Sequence, residues 1–188
     1  FKMLCISKNK ELIEYYCNNN IVTPNILESS FLSLIRMNYS KEETNRDTYL
    51  GIAKWLYNKY DEIRKIELSA NQILEWSCDH NNLLLLEWLF PIYYKNSEKF
   101  DATKYFLIAC EKNLLDIIIW LYNNESIIID LHSTNSYFDN DAALFLACKN
   151  GNLKILEWLY DLNCYDFHRG TDIFNEDALF IYASKYNH

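Results

Sequence analysis

Glycine and proline are scarce in this chain, with 3 and 2 residues among 188. This scarcity excludes collagen-like and proline-rich designs, and it argues against an all-β protein with many tight turns. Three scattered glycines also exclude a glycine-rich phosphate-binding loop. The 18 basic residues are outnumbered by 26 acidic ones, and a net charge of −8 removes the diffuse attraction to nucleic acids and anionic membranes. We therefore expect no nucleic-acid partner and no membrane partner.

Long apolar runs are also missing, so the sequence predicts neither a membrane-spanning helix nor a signal peptide. The chain does contain 50% hydrophobic and 16% aromatic residues, enough to bury a substantial core. None of its 6 cysteines has C-x-x-C spacing, so they predict no zinc site. We expect an intracellular protein with reduced thiols and without a metal or cofactor.

A repeat becomes visible when the chain is aligned with itself. Trp-Leu followed by an aromatic residue occurs four times, and its tryptophans are spaced by 33, 32 and 38 residues: Trp55, Trp88, Trp120 and Trp158. Ten residues before the last three tryptophans, and at the same place in a weaker first copy, stand cysteines: Cys5, Cys78, Cys110 and Cys148. Because these thiols recur in register, we expect them to be small packing groups, not catalytic ones.

The best-preserved copy spans residues 143–160. Leu144, Ala147 and Cys148 have the spacing of one helix face, Gly151 can end that helix, and a second apolar helix follows. Neither helix can bury its apolar face alone, so the copies must stack. The predicted fold is an all-α helical repeat solenoid of about five and a half helix-turn-helix units.

We predict one array over residues 1–188. Its units span approximately residues 1–30, 31–69, 70–102, 103–140 and 141–175, with a half unit at 176–188. Variable connectors join them, at roughly residues 18–29, 58–70, 91–101, 123–139 and 161–175. The second copy is irregular, and we expect its first helix at residues 31–37, followed by a polar insertion at residues 39–47.

The unit resembles the ankyrin repeat, in which a turn or finger precedes two antiparallel helices over about 33 residues. The resemblance lies in residues 141–153 and 176–179, although Phe145 and Phe180 stand at the place of the family's histidine. The Trp-Leu-Tyr ending and the Ile/Asn/Tyr/Lys-rich composition look most like the divergent ankyrin arrays of giant DNA viruses. Tetratricopeptide units have a similar length, but they lack long variable connectors.

This resemblance implies a non-catalytic scaffold or adaptor, viral and located in the host cytoplasm. Such a protein is expected to bind a host or viral protein through its concave helix face and fingers. Two other interpretations stay open: a self-associating structural component of a virion or viral complex, and an accessory domain of a larger enzyme. Cys164 and His168 form the one local nucleophile pair, but without a third ligand or an oxyanion donor they are interpreted as connector residues.

Residues that break the repeat register are candidates for partner contact. Trp76 stands where the other copies carry non-aromatic residues, and its alternative role is packing within the array. Further candidates are polar helix ends and connector aromatics: Asp79, His80, Lys112, Lys149, Tyr93, Tyr94, Tyr137 and Tyr165. The repeated tryptophans are instead expected in the core, where truncating one costs about 3–5 kcal/mol.

Overall fold

The computed structural model describes residues 5, 9–19, 21–36, 43–131 and 142–162, and these are mostly helical. The chain divides into two compact units, residues 1–94 and 95–188. Helices of the first unit are α1 (Lys10–Asn18), α2 (Pro24–Ile35), α3 (Glu43–Lys59), α4 (Asp61–Arg64), α5 (Ala70–His80) and α6 (Leu83–Tyr93). Those of the second are α7 (Thr103–Glu111), α8 (Leu115–Asn123), α9 (Ala142–Lys149) and α10 (Leu153–Asp161). The helical content agrees with the predicted all-α class.

Two short strands stand in the predicted connectors of the second unit. They are β1 (Phe100–Asp101) and β2 (Ile127–Ile128). They pair in parallel, with Phe100 opposite Ile127. The strands join two connectors through backbone hydrogen bonds, and Ile127 of β2 is buried.

Three predicted helix pairs are present: α5–α6, α7–α8 and α9–α10. Each turns sharply at one residue in the left-handed conformation, with φ of 48° at Asn81, 61° at Asn113 and 66° at Gly151. Asparagine and glycine are the residues that adopt this conformation most easily. The helix end predicted at Gly151 is therefore confirmed.

The first unit departs from the predicted boundaries. Helix α2 begins at Pro24, so the expected connector at residues 18–29 is wrong from that residue onward. Proline suits the first helical position because its fixed φ is helical and its missing N–H would have no partner there. Helix α3 begins at Glu43, so the predicted polar insertion is wrong for residues 43–47, and residues 39–42 lie outside the described residues. The predicted connector at residues 58–70 is wrong where α4 lies, at Asp61–Arg64, and the one at residues 91–101 is wrong as far as Tyr93, because α6 runs through Pro91.

The recurring cysteine position is buried in every copy that contains it. Cys5, Cys78, Cys110 and Cys148 are 0%, 1%, 0% and 5% exposed. This burial agrees with the prediction that these thiols are small packing groups.

Trp88 of α6 joins its helix pair to the preceding helices. Its indole meets the Phe31 ring of α2 at 6.3 Å and the Tyr57 ring of α3 at 5.7 Å between centroids. Both contacts are edge-to-face, the arrangement that the ring quadrupoles favour.

Trp158 of α10 makes the corresponding contacts in the second unit. It meets the Phe106 ring of α7 at 6.3 Å and the Tyr122 ring of α8 at 5.3 Å. The repeated tryptophans are half-buried, not fully enclosed, and this holds for Trp55, Trp88, Trp120 and Trp158. Truncating one is therefore expected to cost less than the full core value.

Candidate functional site

Three of the predicted contact residues share one face of α5. Trp76, Asp79 and His80 are three and four positions apart, a spacing that brings side chains together on a helix surface. Trp76 and His80 are half-buried and Asp79 is exposed. The other side of the helix carries Leu74 and Cys78, which are 0% and 1% exposed, so core packing fixes which face points outward.

Both ends of α5 are held in place. At its start the Ser69 hydroxyl accepts a hydrogen bond from the Gln72 backbone N–H, while the Gln72 side chain accepts one from the Ser69 N–H. This capping box satisfies two N–H groups that the helix itself leaves without partners. At the other end, the left-handed Asn81 stops the helix. The face that carries Trp76 is therefore fixed before any partner arrives.

Trp76 and Trp88 each have a cation over the ring, and Trp88 also contacts two aromatic rings. The Arg36 guanidinium carbon lies 4.4 Å from the centroid of the Trp76 ring. Arg36 is exposed and follows directly after α2 as its C-cap residue. Trp76 thus has an internal contact, as the packing alternative requires, but that contact lies at the surface.

Two acidic residues lie close to Trp76 along helix α5. Glu75 and Asp79 are both exposed and four residues apart on α5, where like charges repel each other. The sequence analysis missed Glu75 and Arg36. Glu75 could have been found from its helical spacing to Asp79, whereas Arg36 is distant in sequence from Trp76 and carries no local signal.

The α5–α6 turn holds polar atoms that lack hydrogen-bond partners. Among the described residues, Ser77 Oγ, His80 Nδ1 and Asn82 Nδ2 are buried without one. Ser77 and Asn82 are each 0% exposed. Leaving such a group unsatisfied costs about 1–3 kcal/mol, so this turn is less stably packed than its burial suggests.

Asn152 occupies the corresponding turn position in the second unit, and there the amide is satisfied. Its Nδ2 donates to the Cys110 carbonyl of α7 at 2.7 Å. Asn82 instead uses its Oδ1 to accept from the Leu85 N–H and cap α6. The side chain of Asn152 therefore joins two helix pairs of the second unit, whereas the side chain of Asn82 caps a single helix of the first unit.

The two predicted tyrosines at the end of α6 pack within their own unit. The Tyr94 ring stacks on Phe90 with centroids 5.2 Å apart. Burial and, to a lesser extent, nearby Tyr57 raise the pKa of Tyr93 to about 12. Both tyrosines are half-buried, so packing accounts for them better than partner contact.

The two predicted lysines lie at helix ends in the second unit. Lys112 is the exposed C-cap residue of α7, and Lys149 is the half-buried last residue of α9. A cation there complements the negative end of the helix dipole. The remaining candidates lie outside the described residues: Tyr137, Tyr165, Cys164 and His168.

Burial controls the chemistry of the repeated thiols. It raises the pKa of Cys5 and of Cys148 to about 11 and that of Cys110 to about 12. A thiol with so high a pKa stays protonated at neutral pH and is a poor nucleophile. These three side chains therefore act through packing.

No described group of His, Cys, Asp or Glu side chains has the arrangement needed to hold a metal ion. Among the described helices, none combines the length and apolar character needed to span a bilayer. No protein-family model, curated protein or solved structure matches the chain. The ankyrin resemblance and the viral origin remain predictions from the sequence.

Proposed function

We propose that this protein is a non-catalytic protein-interaction module, an ankyrin-like scaffold or adaptor of viral origin. It binds a host or viral protein through the exposed face of α5. The observation that carries the proposal is Trp76, whose indole lies at the surface of α5 against a guanidinium. Tryptophan and arginine are the side chains most enriched among residues that dominate binding energy.

The repeat interpretation is supported by contacts that recur in register. Trp88 and Trp158 stand at the same repeat position, and each meets a phenylalanine and a tyrosine of the preceding helices. A stack built in this way presents its variable side chains on rigid helices, so little conformational entropy is lost on binding. The α5 face fits this mode because capping fixes the helix and packing fixes its orientation.

Affinity capture with quantitative mass spectrometry tests the proposal. The full chain serves as bait, with Trp76→Ala as the binding variant and Ile26→Ala as the control, since Ile26 is an apolar residue of α2 that is 41% exposed. A partner anchored by Trp76 loses at least about 30-fold in affinity on truncation, the equivalent of a 2 kcal/mol hot spot. Proteins recovered equally with both variants would refute the α5 face as the binding site.

Self-association is a second candidate, favoured by an exposed leucine of α10. Leu153 is 64% exposed, whereas Leu50, which lies equally far before its own repeated tryptophan, is 3% exposed. A second copy covering Leu153 would bury this apolar surface. Sedimentation velocity then shows a mass that rises with concentration, and Leu153→Glu abolishes the rise. A wild-type mass that stays monomeric at every concentration excludes this candidate.

A further inference from the structure

The surface around Trp76 combines an aromatic ring with negative charge. Glu75 and Asp79, one residue before and three residues after Trp76 on α5, are exposed, and the whole chain carries a net charge of −8. The face of an indole attracts cations because its ring quadrupole is negative there. In the described part of the chain, the cation against this ring is Arg36.

We infer that this face of α5 receives an arginine or lysine side chain of a partner protein, and that Arg36 occupies its place on the ring in the free protein. The inference rests on the proposed function, because it names the partner chemistry of the same face. Arg36 thus occupies the position that the cation of the partner takes in the complex. Its contact with Trp76 indicates that the ring binds a guanidinium group.

A basic partner fits the surrounding charges better than an acidic one. An acidic partner could in principle bind Arg36, because an arginine stacked on an aromatic ring still offers its N–H edge to a carboxylate. In this protein, however, the carboxylate of such a partner is repelled by Glu75, by Asp79 and by the net charge of −8. An incoming cation is attracted by this negative charge, and the overall charge steers it toward the surface.

Because Arg36 competes with the ligand's cation for the Trp76 ring, it lowers the affinity of the protein for a basic ligand. A cation–π contact at an exposed site is weak, so the ring is covered for most but not all of the time. A ligand that needs the uncovered ring binds less tightly in proportion to the uncovered fraction. Removing Arg36 therefore tightens binding of a basic ligand by about three- to sixfold.

Fluorescence anisotropy on the full chain tests this inference with a labelled peptide of alternating arginine and serine. Arg36→Gln is expected to tighten binding about three- to sixfold. The control is Lys65→Gln, which removes the same charge from an exposed residue directly after α4. This variant is expected to change the affinity less than twofold, because a distant surface charge is largely screened by salt. Glu75→Gln is expected to weaken binding, and Trp76→Ala to abolish it at peptide concentrations that saturate the wild type.

The direction of the Arg36→Gln effect decides the outcome. Weaker or unchanged binding, or binding of a glutamate–serine peptide in preference to the arginine–serine one, overturns the inference. The exposed Arg36 and Glu75 can be replaced without disturbing buried packing, so the test stands even where Trp76→Ala unfolds the chain. A captured protein that depends on Trp76 but weakens with Arg36→Gln leaves the proposed function in place and rejects only the basic partner.

Discussion

The hydrogen bond between Asn152 and Cys110 allows the coupling between helix pairs to be measured. The Asn152 amide reaches from the α9–α10 turn to a carbonyl in the last turn of α7, at 2.7 Å and in a buried setting. Carbonyls in the last turn of a helix have no partner within the helix itself. Replacing Asn152 by alanine therefore removes one bond and leaves the Cys110 carbonyl buried without a partner.

The magnitude follows from that unsatisfied carbonyl. A buried group stripped of its partner costs about 1–3 kcal/mol, a large part of a typical stability of about 5–15 kcal/mol. Asn150→Ala is the matched control, because the Asn150 amide donates at 2.9 Å to Leu146 of its own helix and is exposed. Surface changes of that kind stay within about 0.5 kcal/mol.

Urea denaturation followed by circular dichroism gives both free energies of unfolding. Asn152→Asp is expected to cost at least as much as Asn152→Ala, because a carboxylate cannot donate to the Cys110 carbonyl and is itself buried. If Asn152→Ala lowers stability no more than Asn150→Ala, the bond does not couple the helix pairs and the argument fails.

Three further measurements check the packing. Ser77→Ala removes a buried hydroxyl that lacks a partner and is expected to leave stability unchanged or raise it by up to about 1 kcal/mol, measured by thermal unfolding; a clear loss would contradict the missing partner. A double-mutant cycle with Tyr122→Leu and Trp158→Leu should give a coupling of about 0.5–1.5 kcal/mol, and a zero coupling would argue against the edge-to-face contact. Burial raises the pKa of Cys110 from 9.0 to about 12, so the unfolded chain releases this proton first and stability falls as the pH rises above about 9. Free energies of unfolding from urea denaturation at pH 8 and pH 10 should differ by about 1 kcal/mol more in the wild type than in Cys110→Ala.

The sequence predicted those parts of the fold where apolar spacing and turn chemistry agree. The α9–α10 pair is one example, because Leu144 and Cys148 mark one helix face and Gly151 marks the turn. The start of α3 was missed, because residues 43–47 carry no apolar periodicity. Buried residues farther along, such as Leu56, hold α3 in place, so the helix extends backward over a segment with no pattern of its own.

The candidate site was predictable only in part, for a physical reason. Trp76, Asp79 and His80 lie on one helix, so their spacing alone places them on one face. Arg36 reaches that face from a different helix, and contacts between distant segments depend on tertiary packing. Tyr94, by contrast, stacks on Phe90 only four residues before it, a contact that helical spacing alone could have predicted.

Trp76 and Trp88 belong to one unit of the chain and differ in the contacts that their indoles make. Trp88 touches two rings of preceding helices and lies 5.6 Å from the Lys54 ammonium, so its loss disturbs three neighbours. Trp76 is half-buried as well, and the cation over its ring is the exposed Arg36. Under the proposed function, the exposed part of this indole contacts the partner, so replacing Trp76 lowers partner affinity, whereas replacing Trp88 lowers the stability of the unit.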